Sequence, residues 1–204
     1  MTLELIDTIV RWLAGVLAYT LLGILLFGIW RGTRRQAGLT TGHAGRWLHS
    51  PWFYLISTML FFVICFLGWI PLPKIFSQAS RIWMLALGCL LYFPGMCFML
   101  WGRMALGRNY FVSSGFGAQL FAGHQLVTRG PFAIVRHPMY TGLFLAAFGS
   151  LLIYPTWTTL LFACFAPFII VRAWREEKVL LAEFGEQWQD YCMRVPAFLP
   201  WLRR

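Results

Sequence analysis

Between Trp12 and Trp30 the chain runs for 19 residues without a charged side chain. As a helix, such a run is long enough to cross roughly 30 Å of hydrocarbon. Pro51–Ile70 and Ile82–Trp101 repeat the pattern, and Met139–Val171 stays uncharged for 33 residues. In lipid each backbone polar group must find its partner inside the protein, so helices are the expected elements. The chain is 59% hydrophobic and only 12% charged, whereas soluble domains carry about 25% charged residues. An integral membrane protein is therefore expected. The net charge of +10 would suit nucleic acid on a soluble fold. Here the basic residues fall between apolar runs, where membrane topology accounts for them.

Several prolines mark where these helices start, bend and break. Pro51 sits at a first turn, where its missing N–H costs little, and Pro94 is placed to kink the third helix. Tyr154-Pro155-Thr156 interrupts the long run, which then folds as a hairpin of two short helices, with Pro167 bending the second. A shallow re-entrant hairpin is the alternative, because each arm is short for a span. The expected fold is all-α with five transmembrane helices. Fourteen of the 17 Lys/Arg then share one side, leaving Arg11, Lys74 and Arg81 on the other. By the positive-inside rule the N-terminus, with Glu4 and Asp7, lies outside and the C-terminus in the cytosol. The first run is long enough to span and is not expected to be a cleaved leader. Residues 1–101 divide off as a three-helix anchor, with a catalytic region over 102–204.

Five cysteines form no CxxC pair, and four lie in apolar runs, so they are expected as small buried hydrophobes. The four histidines lack HxxxH or HxH spacing, and no metal site is expected. Polar chemistry concentrates late in the chain. His124–Tyr140, HQLVTRGPFAIVRHPMY, holds two His and two Arg and is too polar to span. It closes a loop, Gly102–Pro138, whose frequent turn formers predict little regular structure. Its aromatics (Tyr110, Phe111, Phe116, Phe121, Phe132) argue for order. Pro138 suits the first turn of a helix whose N-terminus faces this segment. His137 beside it is either a general base or a hydrogen-bonding strut.

Beyond the hairpin, Arg172 and Glu176 lie four apart and share a helix face. They form either a surface pair of little consequence or two walls of a pocket at the membrane interface. Leu180, Leu181, Phe184, Trp188 and Tyr191 continue an apolar face suited to the membrane surface or the protein. Gly185 ends or kinks that helix.

Taken in order, His124-Gln125-Leu126-Val127, Gly130-Pro131-Phe132, Arg136-His137-Pro138-Met139-Tyr140, Arg172, Glu176-Glu177, Phe184-Gly185 and Val195-Pro196 resemble the isoprenylcysteine carboxyl methyltransferase family. The likeness covers roughly residues 100–200. It implies an integral-membrane enzyme using S-adenosyl-L-methionine, its site enclosed by the cytosolic loop and the C-terminal amphipathic helix. It also implies cofactor contacts at His124, Gln125 (a Thr in the family), Leu126, Val127, Phe132 (a Tyr in the family), His137, Pro138, Met139, Tyr140 and Glu176. Arg172 corresponds to a catalytically important arginine that binds the acceptor. Gly117 falls where some members place a cofactor-contacting Gln, and Gln119 is a nearby substitute.

The implied acceptor is a lipophilic or prenylated carboxylate arriving from the bilayer, with membrane lipid as surroundings and neither nucleic acid nor metal as partner. A carboxylate is ionised at neutral pH and needs no base, whereas a thiol or lipid amine would need one. Two other classes stay open. A sterol-type membrane reductase would use NADPH. A transporter or scaffold is disfavoured because the first three apolar runs contain no Asp, Glu, Lys, Arg or His.

Overall fold

A computed structural model describes residues 3–33, 37–41, 51–73, 77–110, 113–114, 117–121 and 123–200. The long helices are α1 (Leu3–Thr33), α2 (Pro51–Leu67), α3 (Gln78–Leu106) and α4 (Pro138–Ile153). They are followed by α5 (Trp157–Phe165), α6 (Ile169–Phe184) and α7 (Glu186–Arg194). The break at Tyr154-Pro155-Thr156 falls as expected, with Thr156 capping α5 through a reciprocal bond with Thr159. Pro167 sits in a 3-10 turn, Ala166–Phe168, that joins α5 to α6. Because that joint is helical, residues 157–184 form one long helical stretch, apolar up to Arg172. Gly185 ends α6 with φ of 51°, a conformation that disfavours side chains, and α7 departs from it. Pro94 does not interrupt α3.

Three helical stretches, Leu3–Arg31, Ala79–Asn109 and Trp157–Phe184, are long and apolar enough to cross a membrane. Leu55–Leu67 and Pro138–Ile153 are shorter apolar helices. Much apolar surface faces outward; Phe66 on α2, for example, is 82% exposed. Surface of that character and extent requires lipid, and the protein is an integral membrane protein.

Helix association in lipid relies on close packing at small residues. Gly88, Gly95 and Gly102 recur every seven residues on α3, and Gly142 and Gly149 do so on α4. A Cβ added at Gly95 would stand 2.7 Å from the Gly142 carbonyl oxygen and 2.9 Å from the Ala146 nitrogen. At Gly149 it would meet the Tyr92 nitrogen at 2.5 Å. α1 closes over this pair, burying Ala14 and Leu21 against Leu85, Tyr92, Met96 and Ile153. The Tyr92 hydroxyl donates to the Ala14 carbonyl at 2.8 Å. α2 ties to the hairpin turn instead: the Leu72 N–H donates to Pro155 and the Trp157 N–H to Ile70.

The far end of α4 is finished by Arg81, which donates to the carbonyls of Leu152 at 2.7 Å and Ile153 at 2.8 Å. A cation there satisfies orphan carbonyls and suits the helix dipole. Asp7 bonds the same guanidinium and pairs with Arg11 at 2.7 Å.

Two expectations need correction. The 102–138 segment contains regular structure: α3 extends to Leu106, and β2 (Ser113–Ser114) and β3 (Gly117–Phe121) follow. β3 pairs antiparallel with β1 (Ala37–Thr41) from the first loop, Thr40 opposite Gln119, giving the order β1-β3-β2. The sheet lies against α6. Polar, glycine-rich sequence hides such strands, because only the distant partner creates them. The cysteines were also misjudged. Cys97 and Cys164 are exposed and the other three half-buried, with Cys89 and Cys192 packed against the core clusters.

Replacing Gly142 by Ala should lower the melting temperature in detergent, since overpacking costs roughly 1–3 kcal/mol. Gly23→Ala serves as control, having nothing within 4 Å of the new methyl. Equal melting of the two variants would remove the glycine contact as a determinant of the fold.

Candidate active site

The segment entering α4 is built around Gly130, whose φ of 65° turns the chain into the 3-10 turn Gly130–Ala133. That turn buries Pro131 and Phe132, and Val135 follows at 1% exposed. The chain then reaches Arg136, His137 and α4, which begins with Pro138 as expected.

Arg136 bonds three partners at once. Its Nε donates to Glu177 Oε1 at 3.0 Å, and its Nη1 to the carbonyls of Val195 at 2.8 Å and Cys192 at 3.2 Å. Those carbonyls end α7, so one guanidinium joins α4, α6 and α7. The backbone repeats the join: the Arg136 N–H donates to Pro196 and the His137 N–H to Ala197. The Thr141 hydroxyl donates to Phe198 at 3.2 Å. From the other side, the buried Tyr191 hydroxyl donates to the Phe132 carbonyl at 2.6 Å.

His137 is 6% exposed and donates from Nε2 to the Glu177 carboxylate at 2.9 Å. Its ring stacks between Tyr140 and Phe198. These contacts suit the strut of the two readings, with Nε2 and both ring faces holding neighbours.

A cavity opens between this join and α6. Its walls include His124, Leu126, Val127, Phe132, His137, Pro138, Met139 and Tyr140, with Arg172 and Glu176 opposite. The structure thus brings together ten of the eleven residues singled out in the sequence. Gln125 is the exception: it is exposed and contributes no wall, and its N–H meets Asn109 Oδ1 at 3.3 Å.

Arg172 and Glu176 face this cavity. Glu176 is 8% exposed and accepts a hydrogen bond from the Tyr140 hydroxyl. The Arg172 Nε lies 3.6 Å from the same carboxylate, and its guanidinium sits 5.4 Å from the centre of the Tyr140 ring. Tyr140 therefore supports both charges.

Sequence reasoning missed several walls. Leu106, Tyr110, Arg136, Leu180, Trp188 and Tyr191 also line the cavity. The apolar face of α6 and α7 was the available signal for the last three. It packs onto protein, with Val179, Leu180, Trp188, Tyr191 and Val195 forming one cluster. Leu181 lies off that face and is 42% exposed. Nothing local marked Tyr110, which burial carries above the usual phenol pKa. Burial likewise pushes His124 down to about 4, and its ring packs 6.0 Å from Phe184.

The cavity joins a carboxylate and a guanidinium to apolar walls, the make-up typical of a small-molecule site. Residues 83–187 match the family model for phospholipid methyltransferases, and the chain belongs to that family. Over 157 residues it is 34% identical to methanethiol S-methyltransferase 2 of Bradyrhizobium diazoefficiens, covering 72% of this chain and 58% of the relative. It is 30% identical over 157 residues to protein-S-isoprenylcysteine O-methyltransferase of Rattus norvegicus, covering 74% and 55%. The fold matches the eukaryotic intramembrane Ras methyltransferase, isoprenylcysteine carboxyl methyltransferase, with TM-score 0.51 and 25% identity over 76% of this chain and 54% of that one. The chain thus spans a little over half the length of these relatives.

Two outcomes follow from the geometry. Arg136→Ala leaves Glu177 and two helix-end carbonyls short of a partner and should destabilise the protein by about 3 kcal/mol, measured by thermal or denaturant unfolding. His124 gives a pH signature. Its folded pKa lies below the unfolded value of about 6.5, so the unfolded chain gains the proton first. Stability should be full above pH 6.5 and fall as pH drops toward 4. His124→Gln should flatten that part of the profile; an unchanged slope would remove the buried neutral imidazole as its source.

Proposed function

We propose that this chain is an S-adenosyl-L-methionine-dependent membrane methyltransferase acting on a lipophilic acceptor that presents a carboxylate. The observation that carries the reading is the Arg172–Glu176 pair, one helical turn apart and both on the wall of the cavity beneath His124–Tyr140. The names of the relatives support methyl transfer, and most of those matched are isoprenylcysteine O-methyltransferases.

The cavity residues fit the cofactor. A ligand carrying an ammonium and a sulfonium needs a carboxylate held away from bulk water, and Glu176 supplies one. Leu126, Val127, Phe132 and Met139 offer apolar walls, while His124, His137, Pro138 and Tyr140 complete the proposed binding set. When bound, S-adenosyl-L-methionine supplies an electrophilic methyl group. Arg172 is the proposed catalytic residue: its guanidinium fork suits a carboxylate and would hold one in line for attack. Orientation of this kind can supply roughly 7–11 kcal/mol of barrier reduction.

The acceptor choice follows from the histidines. His124 is held as a weak base, and His137 is bonded to Glu177. A carboxylate asks nothing of either. A thiolate is the second reading, favoured by the methanethiol S-methyltransferase relative, with Arg172 stabilising the sulfur anion.

Five crossings are proposed, the two shorter apolar helices joining the three long ones, with the N-terminus outside and the site and C-terminus cytosolic. The cavity walls all lie beyond residue 102, which suits an anchor over 1–101 and a catalytic region over 102–204. The acceptor would enter sideways from the bilayer.

Calorimetric titration of the detergent-purified protein with S-adenosylhomocysteine should give micromolar binding, and NADPH should give none. NADPH binding alone would instead select the reductase class. Glu176→Ala should weaken S-adenosylhomocysteine about tenfold or more. Arg172→Ala should leave that affinity nearly unchanged and cut methyl transfer to an S-prenylated cysteine by about 10²–10³. Faster transfer to methanethiol than to the prenylated carboxylate would move the assignment to the thiol.

A further inference from the structure

A second cavity of about 280 Å³ lies where α1 and α3 end, beside the first and sharing Tyr110 as a wall. Three guanidinium groups line it, those of Arg31, Arg103 and Arg108, and no acidic residue does so among the described residues. Like charges gathered in a concave site at a lipid boundary repel one another. The Arg103 Nη1 donates to the Gly107 carbonyl at 3.4 Å, at the end of α3.

The arrangement is prepared on the α1 side. The Arg103 guanidinium lies against Gly28, where an added Cβ would come within 2.6 Å of its Nη2. It also stacks over the Tyr110 ring at 4.4 Å. A glycine thus clears the space and an aromatic ring holds the plane, while the exposed Arg31 and Arg108 flank it. A guanidinium fork matches phosphate oxygens in pairs. The topology proposed above puts this cavity at the cytosolic interface, the level at which phospholipid phosphates lie.

We propose that Arg31, Arg103 and Arg108 form a binding site for a phosphate ester, distinct from the methyl-transfer cavity. The ester is either the headgroup phosphate of an anionic phospholipid or a soluble phosphate of the same chemistry. The site goes beyond the activity proposed above and does not depend on it.

Native mass spectrometry and thermal shift of the full chain in neutral detergent test it. The probes are phosphatidylglycerol, phosphatidylcholine and sn-glycerol 3-phosphate. Wild-type protein should retain phosphatidylglycerol in preference to phosphatidylcholine and gain stability from it. If glycerol phosphate competes at similar concentration, the soluble ester is sufficient; if it does not, the lipid form is the ligand, and either result supports the site. The double variant Arg31→Gln/Arg108→Gln should weaken the anionic probe about tenfold or more. S-adenosylhomocysteine affinity should stay at the wild-type value, which reports an intact fold. Gly28→Leu, which fills the cavity, should act the same way. Equal retention of both lipids by the wild type, or unchanged retention by the double variant, would overturn the proposal.

Discussion

The carboxylate of Glu177 is the interaction on which the site depends. It accepts from Arg136 and from His137, and through them it fixes the entry of α4, the end of α7 and the tail beyond it. Adjacent residues on a helix point about 100° apart, so Glu176 is turned into the cavity by the same geometry that turns Glu177 out of it. Two neighbouring acids thereby take unlike places, one holding the frame and the other set in the cavity wall with Tyr140 and Arg172 beside it. Charges near the end of a lipid-crossing helix are expensive unless paired, and Arg136 is the pairing that makes Glu177 tolerable there.

An arginine stands at each end of α4. Arg136 organises its start, and Arg81 receives the carbonyls of its last turn with Asp7 from α1 behind it. At 16 residues α4 is short for a bilayer span. As one of the crossings proposed above, it would be helped by cations at both ends, which bring polar interface toward a short helix. The glycine contact with α3 completes the support along the length of the helix.

Much of this was legible in the sequence because its causes are local. Uncharged runs gave the helices, Pro155 the hairpin, Pro167 an irregularity in its second arm and Gly185 the turn into α7. The fourfold spacing of Arg172 and Glu176 placed them on one face, and ordered motif pieces placed most of the cavity wall. What stayed hidden depends on distant partners. The pairing of β1 with β3 joins residues about eighty positions apart, and neither strand carries a strong pattern alone. Tyr110 lines a wall only because α3 ends where it does. Gln125 belongs to the same motif but stays outside the cavity wall, because a motif lists residues in order and not by where each side chain turns.

Pro196, Ala197 and Phe198 complete the entry to α4 by backbone bonds, although they follow it by more than fifty residues. The entry to α4 is thus completed only once residues 195–198 have folded back on it. A polypeptide truncated before Val195 would keep the helices but lose the carbonyls that receive Arg136 and His137.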